Sequence, residues 1–122
     1  MELPIQIVLA SKSPRRVDLL TQLLDHEFGE GVVTFAIDPP NIDETPLADE
    51  TPIAHVQRLA VAKSHAVALR HNNAVVIIAA DTTVDLDGKI FGQPADEQDA
   101  RTMLNELSGR THQVHTAVAV VH

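Results

Sequence analysis

Cysteine is absent from the chain, which excludes a disulfide framework, thiolate catalysis and cysteine-ligated zinc. Trp and Tyr are absent too, and aromatics make up only 2% of residues, so no stacking platform for single-stranded nucleic acid can be built. The apolar run Val75 to Ala80 is far too short to span a bilayer, and no other run in the sequence is long enough. The opening Met1-Glu2-Leu3-Pro4 has neither the basic region nor the apolar stretch of a signal sequence. Glycine-rich phosphate loops are missing: neither G-x-x-x-x-G-K-[ST] nor G-x-G-x-x-G occurs, which disfavours kinase and dinucleotide-binding readings. Positive charge is scarce, with 9 Lys and Arg against 17 Asp and Glu, and the resulting −8 has the wrong sign for a polyanion partner. An anionic ligand must therefore be met by a local cluster of cations, with a metal ion helping. These absences predict a soluble, cytoplasmic protein with no nucleic-acid and no membrane partner.

What is present is an ordinary globular composition, 44% hydrophobic and 21% charged. The 122 residues suit a single domain, 1–122, that buries roughly two thirds of its unfolded surface. Ile5 to Ala10 is rich in β-branched residues and reads as a strand. Ser13 then stands as N-cap with Pro14 at the first helical position, and Val17, Leu19, Leu20, Leu23 and Leu24 supply an apolar stripe to about Asp25. Val32 to Ile37 reads as a second strand, followed by a turn-rich stretch to Pro52 that holds four of the seven prolines. Thr51 and Pro52 start a long helix to about His71. Val75 to Ala80 is apolar without alternation, as in a central strand covered on both faces. Thr83–Leu86 and Lys89–Phe91 flank Asp87-Gly88, a hairpin signal. Asp96 caps a third helix whose Ala100, Met103, Leu104 and Leu107 share a face, and Gly109 ends it. His112 to Val121 is the final strand. The order β-α-β-α-β-hairpin-α-β predicts an α/β fold with a mixed sheet flanked by helices, and a ligand site beyond the carboxyl ends of the strands.

Four groups of residues lie where chemistry is expected. Ser11-Lys12-Ser13-Pro14-Arg15-Arg16 sits at the tip of the first strand and the mouth of the next helix. Cations there oppose the helix dipole, which suggests a shared anion such as a phosphate held by guanidinium forks. A solvated basic turn, or arginines paired to Asp18 and Glu residues, is the other reading. Asp81-Thr82 follows the buried strand, where a carboxylate can hold a divalent cation or take a proton from water, or else simply accept loop N–H groups. Lys63 is the only charge in the stripe Val56, Leu59, Ala60, Lys63, Ala66 and Val67, so it either snorkels or serves a site. Asp43-Glu44, in the proline-rich loop, is uninformative by itself. His112 and His115, three apart on a strand, point to opposite faces and cannot share a metal.

These motifs resemble the Maf family of nucleoside triphosphate pyrophosphatases. Leu9-Ala10-Ser11-Lys12-Ser13-Pro14-Arg15-Arg16 is similar to its opening L-A-S-x-S-P-R-R, and Arg58-Leu59-Ala60 with Lys63 to its R-L-A-x-x-K. Ala80-Asp81-Thr82 resembles its A-D-T, and Leu107-Ser108-Gly109-Arg110-Thr111-His112-Gln113-Val114 its L-S-G-x-x-H-x-V. The motifs run across essentially the whole chain in the family's order.

The resemblance implies a Maf/inosine-triphosphatase-like fold and hydrolysis of a nucleoside triphosphate to monophosphate and pyrophosphate. It implies that Asp81 is the catalytic acid/base near a Mg²⁺ or Mn²⁺ ion that Glu44 helps to bind. Arg15, Arg16 and Lys63 would hold the triphosphate, with Ser11, Thr82 and Gln93 also facing substrate. Arg15 and Thr82 match the dTTP/UTP branch, whereas the 7-methyl-GTP branch has Trp and Gln there. Gln93 replaces the lysine of the family's G-K-P turn, removing one phosphate-facing cation. The chain also ends where the family continues into a region carrying D-K-A-G-A-Y-G-I-Q-G, so a C-terminally shortened fold is expected. A catalytically impaired nucleotide-binding remnant or regulatory module is the alternative function, and a structural interaction module is a third. Asp81→Asn is expected to remove catalysis and spare the fold. The apolar Val114–Val121 strand, left without a covering element, predicts a homodimer.

Overall fold

The computed structural model describes residues 6–71, 75–92 and 94–122. Eight elements follow in the predicted order: β1 (Gln6–Leu9), α1 (Pro14–Phe28), β2 (Phe35–Ile37), α2 (Pro52–Ala68), β3 (Val75–Leu86), β4 (Lys89–Phe91), α3 (Glu97–Leu107) and β5 (Gln113–Val121). The sheet is mixed, with β1 parallel to both β2 and β3, and β3 antiparallel to both β4 and β5.

The helix starts form where the local chemistry dictates. Ser13 Oγ accepts the Arg16 amide at 3.4 Å and Thr51 Oγ1 accepts that of Ala54 at 3.2 Å, each followed by a proline with its φ already helical. Helix α1 runs three residues past the predicted Asp25, because nothing before Gly29 breaks it. Gly29 takes φ 102° and its amide donates to Asp25 O. The ensuing turn consumes Val32 to Thr34, so β2 is shorter than predicted. At the other end of α2, the Arg70 and His71 amides bond back only three residues, to Val67 and Ala68, which tightens the last turn and ends the helix at Ala68. The Asp87-Gly88 turn has positive φ at both positions, 51° and 89°, which gives the primed turn that matches strand twist.

Helices α1 and α2 cover opposite faces of the sheet. Val8, Ala10, Val75, Ile77 and Ala79 pack with Val67 of α2. Leu9 packs with Leu20 and Leu24 of α1, and Ile7, Phe35 and Ile78 join them. Leu19 and Leu23 leave this contact and are 54% and 55% exposed, since they lie on the flank of the stripe that the sheet covers. The shared face of α3 is also left largely open: no residue of the helix is fully buried, and Leu104 is exposed.

Strand β3 organises the molecule. The sequence suggests two short strands, but the chain forms one of 12 residues. The reason is β5, which pairs with it continuously from Ile77↔Val121 to Asp85↔Gln113. On the other edge, β1 pairs only as far as Ile78, and β4 begins at Val84. Residues 79–83 of that edge thus face a gap between two neighbours.

Candidate functional site

Asp81 lies inside β3, opposite Ala117 of β5, and not past the end of a strand as the sequence suggests. It is β1 that ends, and Asp81 occupies the gap beyond it. The period-two alternation that buries Ile77 and Ala79 beneath α2 also turns Asp81 and Thr83 to that face. Lys63 comes down from the centre of the α2 stripe to meet Asp81.

Lys63 Nζ donates to Asp81 Oδ1 at 2.9 Å and to Ala80 O at 3.5 Å, and lies 3.5 Å from Glu44 Oε1. The lysine and aspartate side chains are 11% and 8% exposed, whereas Glu44 is 55% exposed. One ammonium therefore gathers a buried and an open carboxylate. Snorkelling does not describe this lysine, because its head is spent on a buried ion pair.

The pair forms the floor of a cleft of about 510 Å³. The β1–α1 loop contributes Ser11, Lys12 and Ser13, the loop after β2 contributes Pro40 and Glu44, and α2 contributes His55, Leu59 and Lys63. Ser11 is buried, and its Oγ accepts the Ser13 amide at 3.1 Å, which fixes the loop. Arg16 lines the mouth and reaches Thr82 Oγ1 at 3.5 Å, and Thr82 in turn bonds Thr116 Oγ1 of β5 at 2.9 Å. Arg15 is exposed and does not line the cleft. Neither arginine makes an ion pair among the described residues, so pairing to Asp18 or Glu does not account for them. The predicted Gln93 lies outside the described residues.

A second network holds the wall. Glu50, just before α2, takes a bidentate fork from Arg58 (Nε 2.6 Å, a terminal nitrogen 3.0 Å), accepts the Leu47 amide at 3.1 Å and meets His55 Nδ1 at 3.0 Å. The Arg58 hydrogen bond holds the Glu50 carboxyl down at about 2 from its usual 4.5, against the opposing cost of its burial. Arg58 also donates to Thr45 O, so one guanidinium ties the loop carrying Glu44 to α2. Asp43 takes the Thr45 amide and hydroxyl, which lower its carboxyl below the ordinary range. Glu50 and His55 stand in none of the sequence motifs. The signal was the row His55, Leu59, Lys63 at four-residue spacing, which puts His55 on the face that carries Lys63. His112 is exposed, and His115 pairs with Asp85 Oδ2 at 2.9 Å, so neither joins the cleft.

Asp81 and Glu44 are hard oxygen donors that both approach the Lys63 ammonium and line the same cleft. Among the described residues no three Asp, Glu or His side chains are grouped to cage a metal unaided. Such a donor set fits a magnesium-like ion that completes its shell with water and ligand oxygens.

Residues 6–122 match the family described as Maf-like protein. The chain is 49% identical over 114 residues to a dTTP/UTP pyrophosphatase of Myxococcus xanthus, an alignment covering 93% of this chain and 54% of the relative. It is 50% identical to one of Shewanella denitrificans (94% and 58% covered) and 37% to one of Pyrococcus furiosus (95% and 56%). The chain spans about half the length of these relatives. In fold it is similar to a crystal structure from Vibrio cholerae at TM-score 0.51 and 11% identity, over 88% of this chain and 78% of that one. No helix among the described residues is long and apolar enough to cross a membrane. Since the family match runs through every strand and helix that builds the cleft, the chain belongs to the Maf-like protein family.

Proposed function

We propose that this α/β domain is a nucleoside triphosphate pyrophosphatase that cleaves the bond between the α- and β-phosphates of dTTP or UTP. The observation that carries the reading is the buried Lys63–Asp81 pair in the strand gap, with Glu44 and Arg16 around the same cleft. The naming of its relatives as dTTP/UTP pyrophosphatases supports the substrate class. Arg16 and the fixed Ser11–Ser13 loop at the start of α1 bind the phosphates, where free helix N–H groups favour anions. Arg15, one position out, adds long-range attraction, and Thr82 orients Arg16. Lys63 neutralises charge at the floor.

Asp81 is the general base. Lys63 engages its Oδ1, and the proton of the attacking water passes to the carboxylate as the oxygen bonds to the α-phosphorus. The α–β anhydride bond then breaks and pyrophosphate leaves with the electron pair. Glu44 and Asp81 would hold a Mg²⁺ or Mn²⁺ ion, which supplies charge neutralisation for the phosphates when bound. The reading puts the protein in the cytoplasm, where its substrates are, and as a homodimer. The exposed Val114, Val118 and Val120 of edge strand β5 support the latter.

Pyrophosphate release from UTP, dTTP, CTP and GTP with Mg²⁺ tests the proposal. Turnover of UTP and dTTP that falls by 10²–10⁴ in Asp81→Asn is expected. Equal release by wild type and variant would remove Asp81 from the mechanism, and binding without release in the wild type would leave a nucleotide-binding module.

A further inference from the structure

His55 and Thr83 are the buried polar side chains of the cleft that the mechanism above does not use, and only His55 has a polar atom to spare. The residue is only 3% exposed, yet it lines the cleft. Its Nδ1 is committed to Glu50 Oε1 at 3.0 Å, with a terminal Arg58 nitrogen 3.5 Å away. A carboxylate already held by the Arg58 fork only accepts, so it fixes the proton of the neutral imidazole on Nδ1 and leaves Nε2 as a lone pair. Nε2 has no hydrogen-bond partner among the described residues, and no buried side-chain nitrogen or oxygen among them lacks one. His55 lines the cleft, and Nε2 is the ring nitrogen that its contacts with Glu50 and Arg58 leave uncommitted.

The position along α2 says what part of a ligand it meets. Eight residues separate His55 from Lys63, a rise of about 12 Å along the helix. The cations that suit phosphates, Lys63 and Arg16, are at the Asp81 end. At the His55 end the neighbouring side chains offer nothing polar to spare: Leu59 is apolar, and the Thr83 hydroxyl is spent on Phe91 O at 2.9 Å.

We propose that His55 reads the nucleoside end of the substrate, its Nε2 accepting a hydrogen bond from an N–H or O–H donor on the base or the ribose. The inference rests on the pyrophosphatase reading and adds a specificity residue to it. Glu50 and Arg58 act through His55 by fixing its tautomer. The donor has two sources, the imide N–H of a uracil or thymine ring and a ribose hydroxyl. Cytosine lacks the imide N–H and keeps the ribose.

Calorimetric titration of the full chain at about pH 8.5, above the ordinary histidine range, separates them. The probes are inorganic tripolyphosphate and the non-hydrolysable α,β-imido analogues of UTP and CTP, each with Mg²⁺. In His55→Phe, the affinity for imido-UTP is expected to fall about tenfold, with tripolyphosphate unchanged. A fall confined to imido-UTP identifies the imide N–H, and an equal fall for imido-CTP identifies a donor other than the imide, the ribose hydroxyl or cytosine's own amino group. No fall, or an equal fall for tripolyphosphate, overturns the proposal. Wild-type chain that fails to bind tripolyphosphate would sink the pyrophosphatase reading and this inference with it. Imidazole nitrogen NMR of the wild type decides the matter if the variant does not fold. The expected result is an Nδ1–H tautomer whose Nε2 resonance moves with imido-UTP and not with tripolyphosphate; an Nε2–H tautomer overturns it.

Discussion

Replacing Asp81 by Asn removes the charge that Lys63 was buried to meet. The amide keeps the shape and one acceptor oxygen but not the negative charge, so the ammonium, 11% exposed, is left with neutral acceptors, the amide oxygen and Ala80 O, and with the open Glu44 carboxylate at 3.5 Å. Removing one partner of a buried pair typically costs 3–5 kcal/mol, because the other charge stays in low dielectric without compensation. Glu44 offsets part of this, which makes about 3 kcal/mol the expected loss. At about 2.1 cal/mol/K per residue, 122 residues unfold with an entropy of about 0.26 kcal/mol/K, so the melting temperature should drop by about 12 °C. The exchange is therefore expected to leave the fold in place, at a lower stability. Lys63→Met should cost a similar amount by stranding Asp81. The double variant should recover most of the loss, since it removes both charges and leaves no orphan. Thermal unfolding followed by circular dichroism, on all four proteins at neutral pH, measures the cycle. Single-variant losses that simply add, within about 0.5 kcal/mol, would show that the two side chains do not depend on each other and would refute the argument.

Arg15→Ala and Arg16→Ala should leave the ligand-free melting temperature unchanged or raise it, because each arginine opposes the α1 dipole by about 0.3–1 kcal/mol; a fall in either would reveal a structural role. Tripolyphosphate affinity should drop more in Arg16→Ala, since Arg16 lines the cleft and Arg15 does not. For Glu50 the folded carboxyl is lowered to about 2, so its stabilisation is complete above about 4.5 and is lost as the pH falls towards 2. Urea midpoints measured between those limits should decline more steeply in the wild type than in Glu50→Gln, and parallel curves would contradict the Arg58 fork. The apolar edge of β5 should give a dimer mass by light scattering at micromolar concentration, and Val118→Lys a monomer; a wild-type monomer would show that the edge needs no partner.

What the sequence made legible was what neighbouring residues decide among themselves. Ser13-Pro14, Thr51-Pro52 and Asp96 carry their caps within four residues, and Asp87-Gly88 carries its own turn. The Lys63 anomaly was visible for the same reason, as one charge in a helical stripe. Long-range choices were not legible. The continuity of β3 through Asp81 depends on a partner about 35 residues downstream. Leu19 and Leu23 match a helical stripe as well as Leu20 and Leu24 do, and only the placement of the sheet decides which are covered. His55 and Glu50 acquire meaning through Arg58, which folds a loop back onto a helix.

The nine-pair ladder between β3 and β5 has a consequence for how the gene can change. Side chains alternate across a strand, so one inserted or deleted residue between Val75 and Asp81 would turn Asp81 to the α1 face and present Ala80 or Thr82 to Lys63. The ladder would resist that slip, because every pair from Ile77↔Val121 onward would have to move with it. Length variation should therefore gather at the Asp87-Gly88 turn and in the turn between α1 and β2, where a change of length leaves the facing of Asp81 alone.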